Sequence, residues 1–243
     1  MSSVTRVITV RITEIVPSIG TLNEKELIEN IKRGTDCDDV VVDKVQEFAS
    51  STSSVADTDE EITVEDREQL LRSMFTHVLG IKVVEKMIQN GFCSAPASTK
   101  YHGNYPGGLF DHSLAVATNL HDLTKHLGLE WSEGSSAFRV GILHDLCKID
   151  QYVQDNSCVT ENNPYGYRNN YDALMNGHSE KSLVYAYRYG VSSLTDEEIA
   201  CILHHMGAYE TKSWDAYDKA IKKFPNVLYT HTADMDASKI MGV

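Results

Sequence analysis

From Glu65 onward the apolar residues recur at the spacing of amphipathic helices, and several of the polar residues that interrupt those apolar faces are histidines and aspartates. No other feature of the chain constrains its fold as strongly. With a turn of about 100° per residue, a helix opening at Leu109 carries His112 on the same side as Val116, Leu120, Leu123 and Leu127. The next helix runs from Gly141-Ile142-Leu143 into His144-Asp145, followed by Leu146-Cys147-Lys148. Near the end of the chain Asp234 lies within the stripe Val227, Thr230, Ala237 and Met241. An ionised carboxylate on a core stripe is costly unless a cation meets it, and the usual cations are a basic side chain or a metal ion.

The spacing predicts helices near 65–90, 109–127, 135–149, 177–189, 195–206, 213–223 and 226–240. Thr195-Asp196-Glu197-Glu198 forms a capping box, and Gly190 and Gly207 are plausible stops. Between the helices over 135–149 and 177–189, roughly over 151–176, lies a loop rich in Asn, Asp and Tyr, long enough to serve as a lid or binding loop. Ahead of the helices, residues 4–16 alternate as a strand, with Ile8, Val10 and Ile12 on one face. Thr21-Leu22-Asn23-Glu24 opens a short helix that Gly34 ends, and Val40-Val41-Val42 starts a second β-rich run. The expectation is a mainly α chain: a small β-α-β module over 1–49, a polar linker over 50–64, and a larger helical domain over 65–243.

Charge narrows the partners. The net charge is −13, but residues 1–66 hold fifteen acidic and six basic side chains, so the remaining 177 residues carry only −4. The larger domain therefore offers no basic stripe of the kind that tracks a nucleic-acid polymer. Five cysteines (Cys37, Cys93, Cys147, Cys158 and Cys201) are odd in number and form no C-x-x-C, which fits reduced thiols in the cytoplasm. No apolar run reaches the ~18 residues of a membrane span, and Met1 to Val16 contains no continuous apolar block of a signal peptide.

Taken singly, each polar residue has an ordinary explanation. A histidine on an apolar face is more often a hydrogen-bonded core residue than a ligand, and Asp234 could pair with a basic side chain of its own domain. His121-Asp122 repeats the His-Asp dipeptide without the Gly-Ile-Leu lead-in and is read as a solvated helix flank. His231, one turn before Asp234, reads as a packed helix residue. The ordered set of segments says more. Tyr101-His102-Gly103-Asn104-Tyr105-Pro106-Gly107-Gly108-Leu109-Phe110-Asp111-His112 is followed by Gly141-Ile142-Leu143-His144-Asp145-Leu146-Cys147-Lys148-Ile149. Gly177-His178-Ser179-Glu180-Lys181-Ser182, Leu203-His204-His205-Met206-Gly207 and His231-Thr232-Ala233-Asp234 complete it. In this order the segments resemble those of HD-domain metal-dependent phosphohydrolases, most closely the branch with HD-type 3′–5′ exoribonucleases. The resemblance spans about residues 67–243 and leaves 1–66 uncovered.

The resemblance implies an HD-type helical bundle with His112, His144, Asp145 and Asp234 around one divalent ion. Asp145 would bridge to a second ion held by His178 and by His204 or His205. Of that pair it favours His205 as ligand, with His204 contacting substrate. Imidazoles and carboxylates suit Mn²⁺, Fe²⁺, Zn²⁺ or Mg²⁺ without any thiolate. Two such ions ~3.5–4 Å apart activate water for in-line attack on a phosphoryl group, with Asp145 and Lys148 as the catalytic residues. Lys148 is either a phosphate contact that stabilises the transition state or a cation placed at a helix C-terminus. Tyr101, His102, Arg168 and Lys181 are candidate substrate contacts, and Trp214 and the tyrosines of the loop could stack on a base. The expected activity is hydrolysis of a nucleotide or nucleotide-like phosphoester, with a small phosphorylated substrate favoured over long nucleic acid. The alternatives are a 3′–5′ exoribonuclease or cyclic-dinucleotide phosphodiesterase, an HD-type di-iron oxygenase, and a non-catalytic binding module.

Overall fold

The computed structural model describes residues 62–209 and 214–243. The β-α-β module expected over 1–49 and nearly all of the linker lie outside the described residues. The described residues form one compact, mostly helical unit. Among the described residues no helix is long and apolar enough to cross a membrane.

Helix α1 (Val64–Leu79) starts at Thr63, whose side chain accepts from the Asp66 amide while the Asp66 carboxylate accepts from the Thr63 amide. Periodicity alone predicts a single helix over 65–90. Gly80, with φ +85°, instead ends α1 and lets α2 (Ile81–Gln89) set off in a new direction. Helix α3 (Gly108–Leu127) is the central element, packed on α4 (Ser136–Leu143) and on α8 (Asn226–Asp236). Helices α5 (Ser179–Tyr189) and α6 (Asp196–His204) close the bundle, and α7 (Trp214–Lys223) lies against α8. The core is continuous, with Leu71, Phe75, Met87, Leu109, Leu120 and Ile142 fully buried. Each such side chain contributes about 1.5–3 kcal/mol.

Two departures from simple periodicity shape the site. The helix expected over 135–149 stops at Leu143, and a 3₁₀ segment, Leu146–Asp150, follows. The helix expected over 226–240 keeps α geometry only to Asp236 and then widens into a π-helical turn, Ala237–Met241. The segment read as a loop over 151–176 contains an antiparallel hairpin, β1 (Tyr152–Gln154) with β2 (Tyr167–Asn169). The buried Asn163 carboxamide ties it together by donating to the Cys158 and Tyr167 carbonyls and accepting from the Tyr167 amide.

The approach of α4 to α3 depends on an absent methyl group. A Cβ at Gly141 would lie 2.3 Å from Ala117 Cα, so only glycine permits this spacing. The turn leading into α3 is clamped separately. Arg67 forks onto Asp111, Nε to Oδ1 at 2.9 Å and Nη2 to Oδ2 at 2.7 Å, and the Tyr105 hydroxyl donates to the same carboxylate at 3.0 Å. This fixes the first turn of α3 immediately before His112.

Candidate metal centre

Adjacent side chains on a regular helix diverge by about 100°. His144 and Asp145 escape that divergence because α4 ends at Leu143, just before them. His144 keeps helical angles, whereas Asp145 takes φ −108° and ψ 19°, in the bridge region between helix and strand. Both side chains therefore reach the same buried point. His112 arrives from α3, Asp234 from α8, His205 from the end of α6, and His178 from the N-cap position of α5.

The Asp145 carboxylate is the centre of the cluster and its two oxygens face different partners. Oδ2 lies 3.4 Å from Nε2 of both His112 and His144, and Oδ1 lies 2.9 Å from His178 Nε2 and 3.5 Å from His205 Nε2. His112 Nε2 is also 3.2 Å from Asp234 Oδ1 and 3.2 Å from His144 Nε2. Lys148 Nζ lies 2.6 Å from Asp145 Oδ2. Three overlapping ligand groups result: His112, His144 and Asp145; His144, His205 and Asp234; and Asp145, His178 and His205. Each has its ligand atoms within 4.8 Å of one another.

The imidazoles all point the same way. Nδ1 of His144 lies 2.7 Å from the Gly141 carbonyl, that of His205 2.7 Å from the Ile202 carbonyl, and that of His112 3.0 Å from the Val243 carbonyl. A carbonyl only accepts, so Nδ1 carries the proton and a neutral ring presents a bare lone pair at Nε2. His178 departs slightly, with Nδ1 3.3 Å from the Cys147 sulfur. Lone pairs aimed at a carboxylate and at one another repel unless a cation stands between them. Consistent with this, His205 Nε2 is buried without a hydrogen-bond partner, and His178 Nε2 meets only the Asp145 carboxylate, at 2.9 Å. These buried His and Asp groups could hold a metal ion, and their nitrogen and oxygen donors match a borderline or hard divalent one.

The electrostatics lead to the same conclusion. Burial alone would raise the Asp145 carboxyl, but Lys148, His144 and His178 hold it well below the ordinary carboxylate range. Asp234 is likewise held below that range, because His112, His144 and His205 outweigh its burial. Burial opposes charge on His178, yet Asp145 beside it pushes its pKa up to about 11. His144 shows the contrary effect, its burial lowering the pKa. The site concentrates negative charge and draws protons to the positions a metal ion would take.

Above the cluster opens a cavity of about 260 Å³, with Asp145, His178, Asp234 and Lys148 among its lining residues. His102 and Tyr101 also line it. The His102 ring sits 4.8 Å from that of His112, and both its nitrogens lack partners. Burial, reinforced by Lys148, lowers its pKa to about 3, so the ring is neutral. The other residues singled out from sequence lie elsewhere. The His204 ring is 6.1 Å from that of Tyr217 and belongs to none of the ligand groups. Arg168 is latched to Asp155 at 2.8 Å on the hairpin, and Lys181 is buried against Asp150 at 2.5 Å; neither lines this cavity. Trp214 is exposed on α7 and does not line it either. As for the second His-Asp pair, His121 stacks on Phe138 at 4.7 Å and Asp122 is exposed.

Periodicity misses several lining residues. His231, read as a packed residue, borders the cavity, and its Nδ1 lies 2.7 Å from the His205 carbonyl. Its position one turn before Asp234 was the available signal. Tyr152 comes from the hairpin, Met206 and Tyr209 from beyond α6, and Lys239 from the π-helical turn, which no helical wheel anticipates. Comparison with family models, with curated proteins and with solved structures finds no match to the chain.

Proposed function

We propose that this chain is a metal-dependent phosphohydrolase of the HD type that cleaves small, nucleotide-like phosphoesters. The observation that carries the reading is the division of labour at Asp145. One oxygen faces His112 and His144, the other His178 and His205, which is the arrangement a carboxylate needs to bridge two ions. When bound, a pair of divalent ions lowers the pKa of water and neutralises charge on a phosphoryl group.

The protein's own part is placement. His112, His144 and Asp234 would hold one ion and His178 with His205 the other, shared through Asp145. Lys148 is buried at the cavity floor with its ammonium beside Asp145, where it can meet a phosphoryl oxygen and offset the charge that develops as the ester P–O bond breaks. The neutral His102 ring and the His231 imidazole, both lining the cavity, supply hydrogen-bonding positions beside that group. The cavity volume suits a small ester, and Met206 and Met235 give it apolar walls for the remainder of the substrate.

The test is a panel of nucleotides and other phosphoesters offered to Mn²⁺-loaded protein without oxygen. Phosphate release that proceeds anaerobically and disappears with Asp145→Ala supports the proposal. Oxygen uptake coupled to substrate loss, with no phosphoester cleaved, overturns it in favour of an oxygenase.

A further inference from the structure

A second cavity of about 250 Å³ opens on the other side of the hairpin and shares no lining residue with the metal-lined one. Its character differs. Three carboxamides (Gln151, Asn169 and Asn176) border it, with the Tyr171 ring and the stem of the buried Lys181. Asn170 also borders it but is committed to the protein, donating to the Asp150 carbonyl and accepting from the Asp172 amide.

The others are not committed in this way. Gln151 Nε2 is held 3.3 Å from the Tyr152 hydroxyl, which leaves Oε1 as the free end, and that oxygen is buried without a partner. A buried acceptor left unmet is costly, so a ligand donor at this point would recover a real deficit. Among the described residues, Asn169 and Asn176 make no side-chain hydrogen bond. Lys181 has three N–H donors and one ion pair, to Asp150. Asp150 meets Lys181 through one oxygen and accepts from the Tyr185 hydroxyl through the other.

We propose that this cavity is a second ligand site, for the edge of an uncharged nucleobase. The charge of Lys181 is already balanced by Asp150, and among the described residues no second cation borders the cavity, so an anion gains little there. What remains is a set of planar amides offering donors and acceptors side by side, the layout by which Asn and Gln read a base edge. Tyr171, 82% exposed, supplies a ring face on which a base can stack. The volume fits one small ligand. This assignment does not depend on the hydrolase reading.

Calorimetric titration of the full chain with the four ribonucleosides, ribose, and inorganic phosphate tests it. At least one nucleoside should bind ten-fold or more tighter than ribose and phosphate. Gln151→Ala and Asn176→Ala should each weaken that binding about five-fold, and Tyr171→Ala more. Thermal melts of each variant, expected to match the wild type, separate a loss of binding from a loss of fold. Tyr101→Ala, which alters only the other cavity, should leave the affinity unchanged. The proposal fails if no nucleoside binds, if phosphate or ribose binds as tightly, or if Tyr101→Ala removes the binding.

Discussion

Replacing Asp145 by asparagine keeps the shape of the side chain and removes its charge, and the consequence can be worked from the contacts. Both sets of imidazoles meet on this one carboxylate, at 2.9 to 3.5 Å. The variant should therefore lose both ions, whereas His178→Ala, which touches only Oδ1, should lose one. In the wild type, an ion held at about 1,000 times its dissociation constant stabilises the fold by about 4 kcal/mol. For a domain of this size that raises Tm by roughly 8–16 °C, taking about 2–4 °C per kcal/mol. Asp145→Asn should show almost no such rise. Its metal-free form should also be weakened, because Lys148 would be buried without its counter-charge, a change of about 3–5 kcal/mol. Scanning calorimetry with and without Mn²⁺, paired with elemental analysis, reads both effects. An asparagine variant that still bound two ions, or kept the full metal-induced rise, would refute the bridging role.

Three further outcomes follow from the geometry. In the metal-free protein the pKa of His178 is pushed up to about 11, so the ring carries a proton at neutral pH that an ion must displace. Apparent metal affinity should rise about ten-fold per pH unit between pH 6 and 8, with proton release seen as a buffer-dependent binding enthalpy; pH-independent affinity would contradict this. Lys148→Ala should lower kcat/KM for a small phosphoester by roughly ten-fold, about 1.4 kcal/mol, in steady-state assays, and a mononucleotide should be a better substrate than long single-stranded RNA. Gly141→Ala should cost about 1–3 kcal/mol in denaturant unfolding through its clash with Ala117, and should weaken metal binding although neither residue has a side-chain polar atom.

The helical texture and the polar residues buried in it were legible in the sequence because both follow a short period. His112 on the face of Val116 and Leu120 is the clearest case. What periodicity could not show was where helices stop. It ran one helix through 135–149, which would have splayed His144 from Asp145; the break just before them depends on the tertiary setting of the 3₁₀ segment. It could not separate His204 from His205, because both lie at the end of α6, where the contact of the His205 ring with the Ile202 carbonyl is a detail of the folded chain. Arg168 and Lys181 were placed near substrate on charge alone, and the partners that hold them elsewhere, Asp155 and Asp150, lie 13 and 31 residues away in sequence. Lys239 reaches the cavity rim only through a π-helical turn.

The wall between the two cavities is made of neighbours in the chain: Gln151 borders one and Tyr152 the other, and so do Gly177 and His178. A ligand on one side and an ion on the other cannot then be thermodynamically indifferent to each other if either shifts this shared backbone. Linkage makes the exchange symmetric: whatever factor an ion at His178 imposes on affinity in the amide-lined cavity, the occupant there must return to the ion. Any such coupling would have its shortest covalent route through the single peptide bonds joining Gln151 to Tyr152 and Gly177 to His178.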